Sequence, residues 1–322
     1  MKLSIVVPTF NQGPYIRDCL ESIQRQTFAD WEVVIQDGLS TDDTQSICEA
    51  VAAADSRVRY FREQDFGQSD AINRGLERTQ GHLWTWICSD DRYSAPRALD
   101  DLIVAFDAAR ALDTKCVGVF GDAQFIYQDG KIAYPYGNQR REIRRLDFKI
   151  LWPFSQPALL ILRRRVLAAG GVDTGLYLGM DLDLFFKYLA DDEKFLYCPT
   201  MVADIRLQPS SKSVKFRVAT AENALALVKK HTGGYGNPHD SAFVIELAQA
   251  RVERALALFF RFRSKFDRFE ELMFRVLGKL VSPVPFVRVI PRKIHTFYRH
   301  YLHKPLASIV FRWTYFEAKL SR

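Results

Sequence analysis

Long hydrophobic runs are absent from the sequence. No stretch of its 322 residues reaches the roughly 18 consecutive apolar residues that a membrane-spanning helix requires, so no transmembrane anchor is predicted. The apolar run near the start, Leu3 to Val7, is short and has no small-residue cleavage pattern behind it, which favours a buried strand over a signal peptide. We therefore expect a cytoplasmic protein.

Cysteine is also scarce. The five cysteines are an odd number, are widely spaced and lie mostly within apolar periodic segments. This pattern favours buried free thiols over disulfides or a cysteine-based metal site. The five positions are Cys19, Cys48, Cys88, Cys116 and Cys198.

Low-complexity sequence is lacking as well, and the composition is that of a folded protein. Hydrophobic residues make up 48% of the chain and charged residues 26%, so global disorder is not expected. The length accommodates one α/β catalytic domain with a smaller appended unit.

Positive charge is concentrated near the C-terminal end. Residues 1–250 carry 29 Lys/Arg against 33 Asp/Glu, whereas residues 251–322 carry 16 against 5. The net charge of +7 therefore arises from the tail, which suggests an anionic partner for it. A nucleic acid is not expected as that partner, because the remainder of the chain is net negative.

Strands and helices alternate in the first 95 residues. Short apolar or β-branched runs predict strands at 3–7, 31–36, 58–61 and 83–88. Amphipathic segments predict helices that begin at Gly13, after Asp43 and at Gln68. Such alternation predicts an α/β fold with a Rossmann-like, mainly parallel sheet and helices on both faces.

Residues 96–217 have a mixed pattern. A helix is predicted at about 96–110, strands at 117–120, 124–127 and 158–163, and a hairpin at Asp129-Gly130. Asp181-Leu182-Asp183 suits the first turn of a further helix. We interpret 96–217 as a second half that completes a pocket, and we predict that the globular domain, 1–217, ends there.

Ser89-Asp90-Asp91 directly follows the fourth predicted strand. Ligands of open α/β sheets bind beyond the carboxyl ends of the strands. Two adjacent carboxylates repel each other unless a cation lies between them, and Mg²⁺ and Mn²⁺ take oxygen ligands. A turn whose aspartates cap the next helix is the alternative. The position at the strand end favours a metal site.

Asp37 ends the second predicted strand, in line with the loop that carries Thr9 and Asn11. Its carboxylate is able to accept hydrogen bonds from a nucleobase or a ribose. A lone aspartate here is otherwise an ordinary turn residue.

Four ordered motifs together resemble those of the family 2 glycosyltransferases with the GT-A fold. They are Val6 to Asn11, Asp37 to Asp42, Gly67 to Gly75, and Ser89 to Asp91. The resemblance covers roughly residues 1–215 and is strongest before residue 95. It implies a GT-A fold with a nucleotide-binding half, 1–95, and an acceptor half, 96–217.

The resemblance also implies roles for individual residues. Asp91 would be the metal ligand, for Mn²⁺ or Mg²⁺, with Asp90 as an additional ligand or a contact to the ribose. Asp37 would bind the base, commonly uracil. The full set of residues implied to bind the nucleotide-sugar donor is Pro8, Thr9, Asn11, Asp37, Gln68, Asp70, Asn73 and Asp90.

In the second half, Asp181 matches the family's catalytic base, and Asp183 is the alternative. Trp152 and Gln156 lie in the segment that walls the acceptor side in relatives. Gln208 stands where relatives often have a histidine, which leaves the role of its loop open. The implied reaction is a single displacement that inverts the sugar carbon, with a saccharide or lipid-linked saccharide as the acceptor.

The tail over 218–322 is predicted to be an α-helical extension. From residue 245 to 280, apolar residues recur at three- and four-residue spacing, and Lys and Arg flank them. Such a helix suits the surface of an anionic membrane, whereas docking on the catalytic domain or pairing in a homodimer are the alternatives. We expect membrane contact through 245–322, on the inner face of the cell membrane.

Overall fold

The structure is a computed structural model that describes residues 3–136, 141–149, 154–208 and 211–233. Trp152 and the predicted helices beyond residue 245 lie outside the described residues. Among the described residues, no helix is long and apolar enough to cross a membrane.

Ten strands and eight α-helices make up the described part. The strands are β1 (Leu3–Thr9), β2 (Trp31–Asp37), β3 (Val58–Arg62), β4 (Leu83–Trp86), β5 (Arg92–Tyr93), β6 (Cys116–Ile126), β7 (Ile132–Tyr136), β8 (Glu142–Arg144), β9 (Leu159–Leu162) and β10 (Lys194–Arg206). The helices are α1 (Gly13–Gln24), α2 (Thr44–Ala54), α3 (Gln68–Arg78), α4 (Ala98–Leu112), α5 (Arg163–Ala168), α6 (Met180–Tyr188), α7 (Lys212–Lys215) and α8 (Arg217–Thr232). Short 3-10 helices cover Arg145–Lys149 and Gln156–Ala158.

The strands form one sheet in the order β3-β2-β1-β4-β9-β6-β10-β5, with β7 beside β6 and β8 beside β10. The four strands of the first half are parallel, and β6 and β10 are parallel to each other. Between them, β9 is antiparallel to both β4 and β6. Six of the ten described strands thus run in one direction, which confirms the predicted mainly parallel α/β sheet.

Helices cover the parallel half closely. Every residue of β1 and β2 is buried, so both faces of the sheet are covered there. On one face, α3 approaches β1 so closely that a Cβ atom at Gly75 would overlap Val6. Because α3 packs closely on β1, its first turn lies at the carboxyl edge of the parallel strands.

The second half differs from prediction in two strands. The strands predicted at 117–120 and 124–127 are one continuous strand, β6. The residue between them, Gly121, packs so closely against β10 that a Cβ atom there would overlap Val202, and glycine avoids this overlap. The long strand β10 was not predicted. It contains Pro199 and has register shifts between Tyr197 and Ala203, so it lacks the regular alternation of a simple strand.

The predicted boundary at residue 217 stays a prediction, but α8 packs against the sheet domain. Ala224, Leu227 and Val228 of this helix are buried in the hydrophobic core. The compact unit that contains the sheet runs from Met1 to Ile245.

Candidate active site

The loops after β1 and β2 bind each other at the carboxyl edge of the sheet. The Asn11 backbone N–H donates to Ser40 Oγ over 2.9 Å, and the Thr41 N–H donates to Asn11 Oδ1 over 2.8 Å. Asn11 and Leu39 both have positive φ, at 52° and 67°. For a leucine this conformation is costly, which is typical of functional loops that the surrounding structure holds in place.

Asp37 lies fully buried beneath these loops. Its carboxylate accepts hydrogen bonds from the Ser40 N–H and hydroxyl, over 2.9 and 2.6 Å, and from the Tyr60 hydroxyl over 2.6 Å. The base-binding role of Asp37 stays a prediction, since these three bonds support the loop itself. By contrast, Thr9 Oγ1 is buried and has no hydrogen-bond partner among the described residues.

The Asp90–Asp91 pair follows β4 in a tight turn, in which the Asp91 N–H donates to Cys88 O over 2.9 Å. Burial, and next the charge of Asp90, raises the pKa of Asp91 well above its usual range. Burial also raises the pKa of Asp90. Two ionised carboxylates in this place are costly unless a cation neutralises them.

A divalent ion fits the atoms present. One oxygen from each of Asp90 and Asp91 and the sulfur of Cys88 lie within 4.8 Å of one another. Oxygen atoms of acidic side chains suit Mg²⁺ and Mn²⁺, which share such sites with substrate phosphates. Sequence reasoning had assigned Cys88 to the inert thiols, yet its sulfur lies beside the acidic pair.

The end of β10 holds the acidic pair from the other side. The Arg206 N–H donates to Asp91 Oδ1 over 2.9 Å, and its guanidinium donates to Asp90 O over 2.9 Å and pairs with Asp18 over 2.7 Å. The side-chain amide of Gln208 donates to Asp90 Oδ2. Arg206 therefore supports the turn, and Gln208 binds the acidic pair directly.

The first turn of α3 connects the acidic pair with the second half of the domain. Gln68 Nε2 donates to Cys88 Sγ over 3.2 Å, and the next residue, Ser69, contacts Met180 Sδ at 2.8 Å. Met180 precedes Asp181 in α6. These contacts connect the start of α6, which carries Asp181, with the first turn of α3.

Two other residues of α3 have structural partners. Asp70 accepts hydrogen bonds from the Phe66 N–H and from Arg74, each over 3.0 Å. Asn73 donates to Val172 O over 2.7 Å and accepts from the Val172 N–H over 2.8 Å. Their donor-binding roles stay predictions, because the observed bonds stabilise the loop and the contact between the two halves.

Asp181 and Asp183 lie in different environments although both are in α6. Burial raises the pKa of Asp181 to about 6, and its carboxylate accepts a hydrogen bond from the neighbouring backbone N–H of Leu182. Asp183 is fully buried against Lys187 at 2.5 Å, His231 at 2.7 Å and Lys230 at 3.1 Å. Burial alone would raise the pKa of Asp183, but these bonds hold it below its usual value.

The roles predicted for Gln156 and Pro8 stay predictions. Gln156 is buried, and its amide donates to Trp86 O over 2.6 Å, so it supports the end of β4. Pro8 is buried within β1. Lys212, whose pKa burial lowers, packs over the Tyr177 ring at 4.2 Å beside this region. Tyr177 and Phe10 are exposed aromatic side chains that the sequence did not single out.

Two solved structures with a similar fold hold nucleotide sugars. S. aureus TarS in complex with UDP-GlcNAc is similar with a TM-score of 0.58 and 17% identity, over 88% of this chain and 82% of that chain. The mannosyltransferase PcManGT from Pyrobaculum calidifontis, in complex with GDP-Man and Mn²⁺, is similar with a TM-score of 0.54 and 17% identity, over 87% of this chain and 84% of that chain. At these identities the similarity establishes the GT-A type fold.

Sequence relatives align with part of the chain. The chain is 37% identical over 92 residues to the Campylobacter jejuni GalNAc(5)-diNAcBac-PP-undecaprenol beta-1,3-glucosyltransferase, covering 28% of this chain and 30% of the relative. It is 29% identical over 129 residues to the putative teichuronic acid biosynthesis glycosyltransferase TuaG of Bacillus subtilis, covering 40% and 49%. The chain thus spans less than half the length of these relatives.

The family comparison covers more of the chain. The model of glycosyl transferase family 2 matches residues 4–171, which include β1, the acidic pair and α3, and make up more than half of the sequence. The motifs of the carboxyl edge thus occur in the order and on the strands where the fold requires them. The chain belongs to glycosyl transferase family 2.

Proposed function

We propose that this chain is an inverting, metal-dependent glycosyltransferase that moves a sugar from a nucleotide-diphosphate donor, a UDP-sugar, to a hydroxyl group of its acceptor. The observation that carries the proposal is the Asp90–Asp91 pair at the carboxyl edge, where α3 contacts both Cys88, beside the pair, and Met180, beside the half-buried Asp181. A saccharide or lipid-linked saccharide of bacterial surface polysaccharide or glycolipid assembly is the proposed acceptor. The names of the C. jejuni and B. subtilis relatives support this class of acceptor.

Donor binding is assigned to the loops of the first half. Thr9 has a buried, unpaired hydroxyl, and Asn11 and Asp37 belong to the loop pair beside it. These groups would contact the nucleoside, Gln68 would contact the donor as well, and Asp90 would approach the ribose or the metal. The UDP-GlcNAc complex of TarS, which has the same fold, supports UDP as the nucleotide.

The metal is assigned to Asp91, with Asp90 as an additional ligand. A bound Mn²⁺ or Mg²⁺ ion neutralises the charge that develops on the departing diphosphate. Gln208 holds Asp90 by a hydrogen bond, and the Arg206 N–H holds Asp91, so both carboxylates are oriented before the donor arrives. Lys212 adds a positive charge beside this region.

Asp181 is the proposed base. It accepts the proton of the acceptor hydroxyl while the hydroxyl oxygen attacks the anomeric carbon and the bond from that carbon to the diphosphate breaks. A carboxylate with a pKa near 6 is a stronger base than an ordinary aspartate and is still ionised at neutral pH. One displacement inverts the anomeric configuration, as in enzymes that use a positioned carboxylate and a water molecule.

The experiment is a screen of nucleotide sugars for release of nucleoside diphosphate, with Mn²⁺ and with a chelator. Release that requires the metal and is lost in Asp181→Asn supports the proposal. Release of pyrophosphate would identify a nucleotidyltransferase instead, and donor binding without any release would identify a non-catalytic sugar-nucleotide-binding protein. If nucleoside diphosphate is released equally well in the presence of the chelator, the proposed dependence on a metal ion is contradicted.

The organisation of the chain around this activity is also a proposal. The catalytic domain is assigned to 1–217 and the basic extension to 218–322. We propose that segment 245–322 binds the inner face of the cell membrane, where a lipid-linked acceptor would be found, with homodimer formation as the alternative.

A further inference from the structure

We infer that Cys88 is a third ligand of the metal site, so that the site also accepts thiophilic divalent cations such as Zn²⁺, Cd²⁺ and Co²⁺ through a mixed sulfur and oxygen donor set. The inference rests on the proposed function in so far as Asp90 and Asp91 hold the ion of the transferase.

The distances among the three side chains are close to those that one ion requires. The sulfur of Cys88 and one oxygen from each aspartate are no more than 4.8 Å apart. Because Zn–S and Zn–O bonds are about 2.3 and 2.1 Å long and the ligands of zinc are arranged tetrahedrally, the ligand atoms of one ion lie about 3.6 Å apart. Side-chain rotations that bring the three atoms closer together by about 1 Å place them all within reach of one ion.

Cys88 also differs from the other cysteines in its surroundings. Cys19, Cys48, Cys116 and Cys198 are buried, whereas Cys88 is partly accessible at the carboxyl edge. Gln68 donates a hydrogen bond to its sulfur over 3.2 Å, so the sulfur faces the first turn of α3 and not the hydrophobic core. An ion held by the acidic pair therefore lies beside this sulfur.

An unpaired oxygen lies on the neighbouring strand. Residue Val6 of β1 is opposite Trp86 of β4, so Thr9 is beside the turn that begins at Cys88. Thr9 Oγ1 is 95% buried and has no partner among the described residues. Buried hydroxyl groups are ordinarily hydrogen-bonded, so this atom indicates a ligand or a water molecule at the same edge of the sheet.

The sulfur changes which ions the site prefers. Mg²⁺ and Mn²⁺ bind the carboxylates and the donor phosphates and take no strong bond from sulfur, whereas Zn²⁺, Cd²⁺ and Co²⁺ do. When such an ion binds, the metal–sulfur bond forms, the S–H bond breaks and the proton passes to the solvent. The same site therefore binds Mg²⁺ or Mn²⁺ through oxygen atoms alone, and binds Zn²⁺, Cd²⁺ or Co²⁺ more tightly because the sulfur of Cys88 is an additional ligand.

The test is titration of the full-length protein with Cd²⁺ and with Co²⁺, followed by the ultraviolet and visible charge-transfer absorption of a metal thiolate. We expect one saturable band in the wild type and in Cys198→Ser, a matched control that removes a different thiol. In Cys88→Ser the band should be lost, with Cd²⁺ affinity lowered roughly tenfold or more and Mn²⁺ affinity changed far less. A band that persists in Cys88→Ser, or that never forms in the wild type, overturns the inference.

A second variant separates a shared site from a lone thiol. Asp91→Asn retains all five cysteines and should still lower Cd²⁺ affinity roughly tenfold, and unchanged affinity would overturn the shared site. Release of nucleoside diphosphate is measured on the same preparations. If nucleoside diphosphate is released with Mn²⁺ but no charge-transfer band forms, the proposed function is supported and the role of Cys88 is contradicted. If the band forms but no nucleoside diphosphate is released, the Cys88 site is supported and the proposed function is contradicted.

Discussion

Asp181 and Asp183 illustrate how two positions of one helix give the same side chain opposite properties. Consecutive residues of an α-helix differ by about 100°, so residues two apart point to nearly opposite sides. Asp183 contacts Lys187 of its own helix and Lys230 and His231 of α8, whereas Asp181 is half-buried and has none of these partners. The helix therefore contains one aspartate with a structural role and one whose proton affinity is raised, and the second fits the base.

The pH dependence of the reaction should follow Asp181. Because its pKa is about 6 and the base must be ionised, kcat/KM is expected to be level above pH 7 and to fall about tenfold per pH unit below pH 6. Asp181→Asn should lower kcat by about 10² to 10⁴ while donor binding is retained. Steady-state kinetics across pH with the active donor provides the measurement, and a level profile down to pH 5 would assign the base elsewhere.

Asn73 is the residue at which a structural and a donor-binding role can be separated. Asn73→Ala removes both hydrogen bonds to Val172, so we expect the free energy of unfolding to fall by about 1–3 kcal/mol without any donor present. Urea unfolding measures this change. Glu77→Ala, on the exposed face of the same helix, is the control and should change stability by less than about 0.5 kcal/mol. Unchanged stability with weaker donor binding would instead support the predicted donor contact.

The carboxylate pair could be located from the sequence, but its partners could not. Asp90 and Asp91 follow an apolar run, and the rule that ligands bind at strand ends is sufficient to select them. Arg206 and Gln208 are more than 110 residues away along the chain and reach the pair only through β10. Cys88 was grouped with the inert thiols because its apolar surroundings in sequence do not report its position at the sheet edge.

At the scale of elements, the contact between α6 and α8 supports the helix that carries Asp181. Asp183 of α6 pairs with Lys230 and His231 of α8, and the His231 ring stacks on Phe186 with centroids 5.0 Å apart. A fully buried carboxylate is stable only because these groups neutralise it. The contact thereby fixes the helix that carries Asp181.

Removal of the charge of Asp183 should destabilise the domain. We expect Asp183→Asn to lower the free energy of unfolding at pH 7 by about 2–4 kcal/mol, because the cationic groups lose their common partner. The folded-state pKa of Asp183 is lowered, so its contribution is present above the unfolded value of 3.8 and is lost as pH falls below that value.

Thermal and urea unfolding of Asp183→Asn at pH 7 and pH 3 provide the measurement. Asp191→Asn is the matched control, because Asp191 pairs with Arg145 at 3.0 Å but is 83% exposed, and it should cost less than about 1 kcal/mol. Equal effects of the two substitutions would contradict the proposed support of α6 by α8.

Helices and strands could be predicted where the spacing of apolar residues along the sequence was regular. Helix α3 has the predicted limits, Gln68 and Arg78, because amphipathic spacing begins after Gly67 and ends before Gly81. Strand β10 was missed because Pro199 and the shifts of register around it interrupt the alternation of buried and exposed residues. Its position is determined by pairing with β6, which is information that no local window contains.

At the scale of the whole molecule, charge is distributed unevenly along the chain. The segment 251–322 carries 16 basic and 5 acidic residues, whereas the remainder is net negative. Basic residues near an anionic membrane contribute about 1 kcal/mol each, and the attraction weakens with salt.

We predict that the full-length protein sediments with vesicles that contain anionic lipid and that binding decreases as salt increases. Purely zwitterionic vesicles are the control and should retain much less protein. Co-sedimentation that is equal for both compositions would contradict an electrostatic contribution. A stable dimer by light scattering without vesicle binding would favour the alternative role of this segment.

The antiparallel pairing of β5 with β10 has a consequence for biosynthesis. Arg92 and Tyr93, directly after the acidic pair, are paired with Asp204 and Ala203, and the Arg206 N–H binds Asp91. During translation, every motif of the first 95 residues emerges from the ribosome well before these partners do. A nascent chain therefore carries the residues of the donor pocket long before it can assemble the pocket, and fragments released before residue 208 would contain the family motifs without a formed site.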